Sequence, residues 1–471
     1  MSGRQVDQGG PSCLADMKHF MEPASIAIVG ATRQTGSSSF NIVERLISHG
    51  YTGSIYPVNP STKEILGVAT YPRVGDIPLP PDLAVIPLWE RADVPKLVKE
   101  CVEAGVKAII VVTQGFADGD AEGKALQEEI LGIAREGGAR LLGPNSLGVA
   151  NAFTGLTTSF LPHKMDRVPV GVICQSGLFF LSLRTFTALG KAIDIGNGCD
   201  IHFVEALRYY ECDPDTRVIL LHIEGLTNGR QFMDAALRIC PQKPIIALKV
   251  ARHSEAVRAV QSHTGSLSGR DEIMRGALKQ CGVLLVNDIS EMEDLAKAFL
   301  RLPPMRGRNV GIVSVSGGAG VMLVDACHDH GLRPADLTTE TRTRLREFSP
   351  NWMRVANPVD IWPLSAHSGL SLPATALAGL KALLEDPGVD GVALALATTF
   401  FEEALSVADS VSGLMRAYSK PICLWTITGS DEERDAAVEN RGAVTFQSAG
   451  RAVRALAKLA DYEQFCQEYS R

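Results

Sequence analysis

Residues 25–36 read SIAIVGATRQTG, and they set the fold class. SIAIVGA at 25–31 reads as a buried strand, and residues 30–36 make a turn bounded by two glycines. SSSFNIVERLISHG at 37–50 then reads as a helix closing on Gly50. A strand that runs through a glycine turn into a helix opens a parallel βαβ unit. Glycine lets the chain turn tightly there, and a helix N-terminus favours phosphate.

Outward from that turn the alternation repeats. GSIYPVNP at 53–60, DLAVIPL at 82–88 and VKAIIVVTQGF at 106–116 read as strands. VPKLVKECVEAG at 94–105 and EGKALQEEILGIAREGG at 122–138 read as helices, followed by ARLLGPNSLG at 139–148. AFTGLTTSFLPHKMDR at 152–167 breaks the rhythm and predicts a first boundary. A second α/β unit follows, from the strand VPVGVICQSG at 168–177 through TRVILLHIEG at 216–225 and KPIIALKV at 243–250 to the helix EMEDLAKAFLRL at 291–302. PPMRG at 303–307 predicts a second boundary, and a third unit starts at NVGIVSVSGGAG, 309–320. The second and third units share a plan: each opens with a strand that runs into small residues. They read as two related, doubly wound domains. The expected division is a frayed tail over 1–20, then domains over 21–150, 165–302 and 305–471.

Composition narrows the function. A chain of 471 residues is too long for one core. Its net charge of −7 argues against nucleic acid as the main partner. The ten cysteines show no CxxC pair, which fits reduced thiols and a cytoplasmic setting. No apolar run is long enough for a membrane span, and the start has no secretory apolar core.

Three constellations stand out. In the first, residues 30–36 form a weak phosphate-binding motif, since they do not make GxGxxG. A nicotinamide site would place a carboxylate at the end of the second strand; here that strand ends Pro57-Val58-Asn59. The expected ligand is therefore a nucleotide other than a nicotinamide dinucleotide. In the second, Gln175-Ser176-Gly177 and Glu224 close strands of the second unit and so face one crevice. Ser176 can equally be a helix cap, and Glu224 a solvated strand end. Ser316-Gly317-Gly318 repeats the arrangement in the third unit. In the third, Ser262-His263-Thr264-Gly265-Ser266 sets one histidine among glycine and hydroxyls, with Lys249, Arg252 and Arg258 upstream. That suits an imidazole that meets an anion; an exposed loop histidine is the plainer reading.

Read in order, IVGATRQTGSSS, YPVNPSTKEILGVATYP, GPNSLGVAN, QSG, GNGCD, LLHIEG, SHTGSLSG, SGGAG and NPVD resemble the α subunit of NDP-forming acyl-CoA synthetases, relatives of the succinyl-CoA synthetase α subunit. The resemblance spans about residues 20–462. It implies a Rossmann-like CoA-binding domain followed by two flavodoxin-like CoA-ligase domains with doubly wound parallel sheets. It implies His263 as a phosphohistidine and Glu224 as its carboxylate partner. CoA would lie on Gly30, Ala31, Thr32, Gly36, Ser37, Pro57, Val58, Asn59 and Asn145. Gln175, Ser176, Gly177, Ser316, Gly317 and Gly318 would form the phosphate and acyl site, with no metal. The third unit favours the ADP-forming acetyl- or acyl-CoA synthetase branch over a succinyl-CoA synthetase α-like subunit.

Two features depart from the pattern: Ala251-Arg252-His253 after KPIIALKV, and Leu178-Phe179-Phe180 after QSG, where residues are usually small. The second puts acetate in doubt as the acid. The chain shows no ATP-grasp segment and no Walker P-loop, so ATP or ADP with Mg is expected on an ATP-grasp β subunit in a hetero-oligomer. The expected reactants are CoA, phosphate and a small carboxylic acid. A non-catalytic CoA-binding regulator and a nicotinamide-dependent dehydrogenase are the alternatives from other classes. Joint presence of His263 and Glu224 counts against the first, and the missing strand-two carboxylate against the second.

Overall fold

The computed structural model describes residues 17–36, 39–182, 189–253, 255–256, 271–397, 401–427 and 432–469. The chain divides into two compact units, Met1–Glu293 and Asp294–Arg471. Among the described residues two large sheets lie in the first unit and one in the second.

The first sheet contains β1 (Ser25–Val29), β2 (Ser54–Val58), β5 (Leu83–Ile86), β6 (Ala108–Val111) and β7 (Arg140–Leu142), in the order β2-β1-β5-β6-β7. All its pairs are parallel. A hairpin, β3 (Glu64–Ile65) and β4 (Val68–Ala69), stands apart. Helices cover parallel strands on both faces, which is why LAVI of β5 and AIIV of β6 are apolar without alternation and wholly buried. The helix Val94–Glu103 shows the matching pattern: Val94, Val98 and Cys101 fall on one side and are buried, and Pro95 sits in its first turn.

The second sheet runs β14-β13-β12-β10-β11-β8-β9. Its strands are β8 (Gly148–Asn151), β9 (Leu156–Thr157), β10 (Val170–Cys174), β11 (Lys191–Asp194), β12 (Val218–Ile223), β13 (Ile245–Lys249) and β14 (Leu284–Val286). β8 pairs antiparallel with β11, and β9 with β8. The stretch that breaks the sequence rhythm after residue 150 thus includes an antiparallel edge of the second sheet.

The second unit holds β15 (Asn309–Ser314), β16 (Arg333–Pro334), β17 (Val359–Asp360), β18 (Gly391–Leu396), β19 (Ile422–Thr426) and β20 (Thr445–Phe446). They run β16-β15-β18-β19-β20, with β17 on β15. In each of the three sheets the lead strand has its successor on one side and a later strand on the other. The direction of winding reverses beside β1, β10 and β15, and ligands bind outside strand C-termini at such switch points.

One expected helix is shorter than its sequence suggests. The helix over 37–50 begins at Ile42 and ends at Ser48. Phe40 takes a left-handed φ of 51°, and Asn41 is extended. Asn41 caps the helix by accepting the Glu44 amide at 3.1 Å and donates to the carbonyls of Thr32 and Gln34. Among the described residues no helix is long and apolar enough to cross a membrane.

Candidate functional site

At the first switch point Gly30 follows β1, with φ +88°, and its amide donates to Val58 at 2.9 Å. A Cβ on Gly30 would lie 2.5 Å from the Leu88 side chain, so only glycine fits without displacement. Ala31 also donates to Val58, and Asn59 returns a bond to the Ala31 carbonyl at 2.7 Å. Pro57 and Val58 pair with Ile28 and Val29 in register. Gly30, Ala31, Pro57, Val58 and Asn59 thus form one edge.

Thr32 and Gly36 lie farther along the loop. The Thr32 hydroxyl accepts from Gln34, and the Gly36 amide donates to the Glu44 carboxylate at 3.0 Å. An amide that sequence alone would offer to a phosphate is therefore already paired, because the helix starts late and its first turn presents Glu44. Ser37 lies outside the described residues.

Asn145 stands elsewhere than on that edge. It has a left-handed φ of 58°, donates its amide to Thr113 at 2.9 Å, and its side chain reaches Asn197 at 3.4 Å. The GPNS and GNGCD motifs close on each other: Asn197 and Cys199 donate to the carbonyls of Pro144 and Gly143. Arg140 pairs with Asp200 at 2.7 Å in the same seam. The seam joins the two sheets of the first unit.

At the second switch point Gln175 follows β10 and Glu224 follows β12. One oxygen of Gln175 accepts the amides of Glu224 at 2.7 Å and Gly225 at 3.1 Å. The expected meeting of QSG with Glu224 is thus a side-chain-to-backbone lock. Ser176 accepts from Leu178, and Gly177 has no room for a side chain, since a Cβ would sit 2.5 Å from Leu147.

Three strands add further groups, of which the sequence singles out only Lys249. Asp194 ends β11 fully buried and accepts the amides of Leu147 at 2.8 Å and Gly196 at 3.2 Å. Burial outweighs those two bonds and pushes its carboxyl up to about 7, with Glu224 adding to the rise. Lys249 ends β13, buried, and donates to the carbonyl of Val250. Burial lowers its pKa, against the pull of Asp271 and Glu224. His222 is buried against Phe179, ring centroids 4.5 Å apart and planes tilted by 31°, and burial takes its pKa down to about 4. Position at a strand end was the available signal for Asp194; nothing in the local sequence singles out His222.

Beside this edge lies a cavity of about 330 Å3, bounded by Gln175, Asn197, Gly225 and residues of the next turns. His263 lies outside the described residues; β13 leads into its segment, and the helix Asp271–Gln280 follows it. In the second unit Ser316 is the extended residue before the helix Gly317–Asp329 and shares two bonds with Ser314. A Cβ on Gly317 would lie 3.2 Å from the Asp360 carboxylate, while Gly318 has more space.

Fold and edges together define an α/β chain of largely parallel sheets with ligand crevices at their switch points. Family models agree, in chain order: a CoA binding domain over residues 24–152, a succinyl-CoA ligase like flavodoxin domain over 167–299, and a ligase-CoA domain over 310–448. Over 443 residues the chain is 32% identical to the α subunit of acetate–CoA ligase (ADP-forming) II of Pyrococcus furiosus, covering 92% of this chain and 94% of that one. It is equally 32% identical to acetate–CoA ligase (ADP-forming) II of Archaeoglobus fulgidus, with 95% of this chain on 67% of that one. The solved acetyl-coenzyme A synthetase 1 of Ca. Korarchaeum cryptofilum, in complex with phosphate and ADP, superposes with a TM-score of 0.85 at 29% identity, over 96% of this chain and 98% of that one. The chain belongs to the family of ADP-forming acetate– and acyl–CoA ligases.

Proposed function

We propose that this chain is the α subunit of an ADP-forming acyl-CoA synthetase that joins a carboxylic acid to CoA. One observation supports the site most directly: Gln175 and Glu224 lock together at the switch point of the second sheet, beside an open cavity. CoA lies along Gly30, Ala31, Pro57, Val58 and Asn59, and its thiol end reaches toward the Asn145–Asn197 seam.

His263 takes the phosphoryl group of ATP, releasing ADP. Its imidazole is a good nucleophile at neutral pH. Glu224 accepts the other ring N–H and so fixes the tautomer. The phosphohistidine passes its phosphoryl to the acid, giving an acyl phosphate and free histidine. The CoA thiol attacks the acyl carbon and phosphate leaves. Reversed, the path makes ATP from acyl-CoA, ADP and phosphate. Lys249 offers positive charge at the strand edge where these oxygens gather.

ATP and Mg bind an ATP-grasp β subunit. Two relatives named α subunits, from Pyrococcus furiosus, are matched over 94% and 98% of their length, while two Archaeoglobus fulgidus ligases are matched over 67% and 64%. That pattern supports a function divided between this chain and a further part.

With that partner, acid, CoA and ATP are expected to yield ADP and phosphate, resolved by nucleotide chromatography. AMP and pyrophosphate as products would sink the ligase class proposed here. The rigorously pure chain without the partner should make no acyl-CoA from ATP, and turnover by the single chain would remove the need for a β subunit.

The CoA site has its own test. Gly30→Ala forces a side chain into a left-handed backbone position 2.5 Å from Leu88. CoA affinity should fall at least tenfold, about 1.4 kcal/mol. Unchanged affinity by calorimetry in a folded variant would place CoA elsewhere.

A further inference from the structure

We infer that the cavity beside Gln175 is the acyl pocket, and that it takes a monocarboxylic acid with an uncharged tail larger than that of acetate. The inference rests on the ligase reading above and names the substrate class of that same site.

Three observations converge. The first is size: about 330 Å3 lies at the lower end of the roughly 300–1,000 Å3 usual for small-molecule sites. The two carbons of acetate would leave most of it empty, while a medium-length or aryl-bearing tail would fill it.

The second is the way the walls are graded. Ile195, Phe203, Val204 and Phe232 are buried and apolar. Phe203 and Phe232 meet edge to face, centroids 6.2 Å apart, so this wall is set by packing. Thr227 and Asn228, which also line the cavity, are exposed and lie on the loop that leaves Glu224. Buried apolar walls combined with exposed polar residues suit a tail held among Ile195, Phe203, Val204 and Phe232 and a carboxyl that stays near Gln175 and Gly225. The pantetheine arm, with its two amides, belongs beside the exposed polar residues.

The third is charge. Among the described residues no Lys, Arg, Asp or Glu lines the cavity. Its one titratable ring, His202, has its pKa lowered by burial, which disfavours the charged form. A dicarboxylate would bring a second anion into a wall with no cation to receive it, at a large desolvation cost. Asn197 is held in place by donating to Asp118 at 2.7 Å and Gln127 at 3.1 Å, which leaves the rim preformed.

The test is calorimetry on the full chain with CoA, acetyl-CoA, hexanoyl-CoA, phenylacetyl-CoA and succinyl-CoA. Hexanoyl-CoA and phenylacetyl-CoA should bind at least tenfold more tightly than acetyl-CoA, as extra buried methylenes demand. Succinyl-CoA should gain nothing over acetyl-CoA. Leu226→Trp, on the half-buried cavity wall, should erase the preference for the longer thioesters by filling the space they use. Acetyl-CoA binding as tightly as the longer thioesters, or succinyl-CoA binding best, overturns the pocket assignment and leaves the ligase reading intact. If Leu226→Trp weakens CoA itself as much as every thioester, the cavity holds the pantetheine arm, and the assignment falls. If neither CoA nor any thioester binds, the ligase reading fails and takes the pocket with it.

Discussion

His263→Ala is expected to abolish phosphate labelling of this chain. With the ATP-grasp partner and γ-labelled ATP, the unaltered chain should acquire a phosphate that is labile in acid and stable in base, the behaviour of phosphohistidine. Of the ten histidines, His263 alone lies in a run of glycine and hydroxyls that follows a strand of the second sheet. β13, which leads into that run, pairs in parallel with β12, and Lys249 stands in register with Ile223, one residue before Glu224. Parallel pairing puts both strand exits on one edge. Two other histidines near this edge fit the task poorly. His222 is buried against Phe179, and His202 lies at a helix start, donating its backbone amide to Glu205 at 3.0 Å. Alanine removes the only nucleophile proposed, so the loss should be complete.

Glu224→Gln separates orientation from nucleophilicity. Its backbone amide still meets Gln175, so the lock at the switch point survives. The proposed anionic acceptor for the His263 ring N–H is lost, and phosphorylation should slow by about 10²-fold or more. Peptide mapping under alkaline conditions decides the matter. A phosphate on another residue, or normal labelling of His263→Ala, rules the assignment out.

Much of the fold can be read from the chain because parallel strands declare themselves. LAVI, AIIV and VILLHI are short, apolar and unalternating, and each is a buried strand. Glycine turns at Gly30 and after Gln175 fall at switch points for the same reason: the chain must turn sharply where a ligand is to approach. What the sequence hides is pairing at a distance. Nothing local tells that GPNS and GNGCD exchange backbone bonds, because those contacts depend on how two sheets pack. Nor does it show that Glu44 will take the Gly36 amide, since that follows from Asn41 delaying the helix. The site shows the same division. Gln175 and Glu224 were legible as strand ends. The cavity walls from Phe203 and Phe232 were not, since they come from two helices, Phe203–Cys212 and Gly229–Ile239, brought together only by packing.

The largest loss of stability is expected from Lys191→Met. Lys191 opens β11, at the edge of the sheet opposite the site, and its side chain is buried. Its ammonium donates to Asp213 at 2.6 Å and Asp215 at 2.9 Å, and lies 5.1 Å from the centre of the Phe153 ring. Asp213 is buried too and also accepts from Thr216 at 2.6 Å. Methionine keeps the length of the side chain but strands a buried carboxylate. Breaking a buried pair from one side costs about 3–5 kcal/mol, far more than the pair itself contributes over a well-packed apolar replacement. Amide hydrogen exchange in β10, β11 and β12 should therefore speed up by roughly a hundredfold or more, since local opening reports local stability. A double change, Lys191→Met with Asp213→Leu, should recover part of the loss by removing the stranded charge. Unaltered exchange in Lys191→Met would show that the ion pair does not hold this edge. The same four-residue strand ends in Asp194 at the site, so the two ends of β11 have separate duties. Under conditions where the variant stays folded, CoA should still bind, because nothing in the Lys191 cluster touches the Gly30 edge or the cavity.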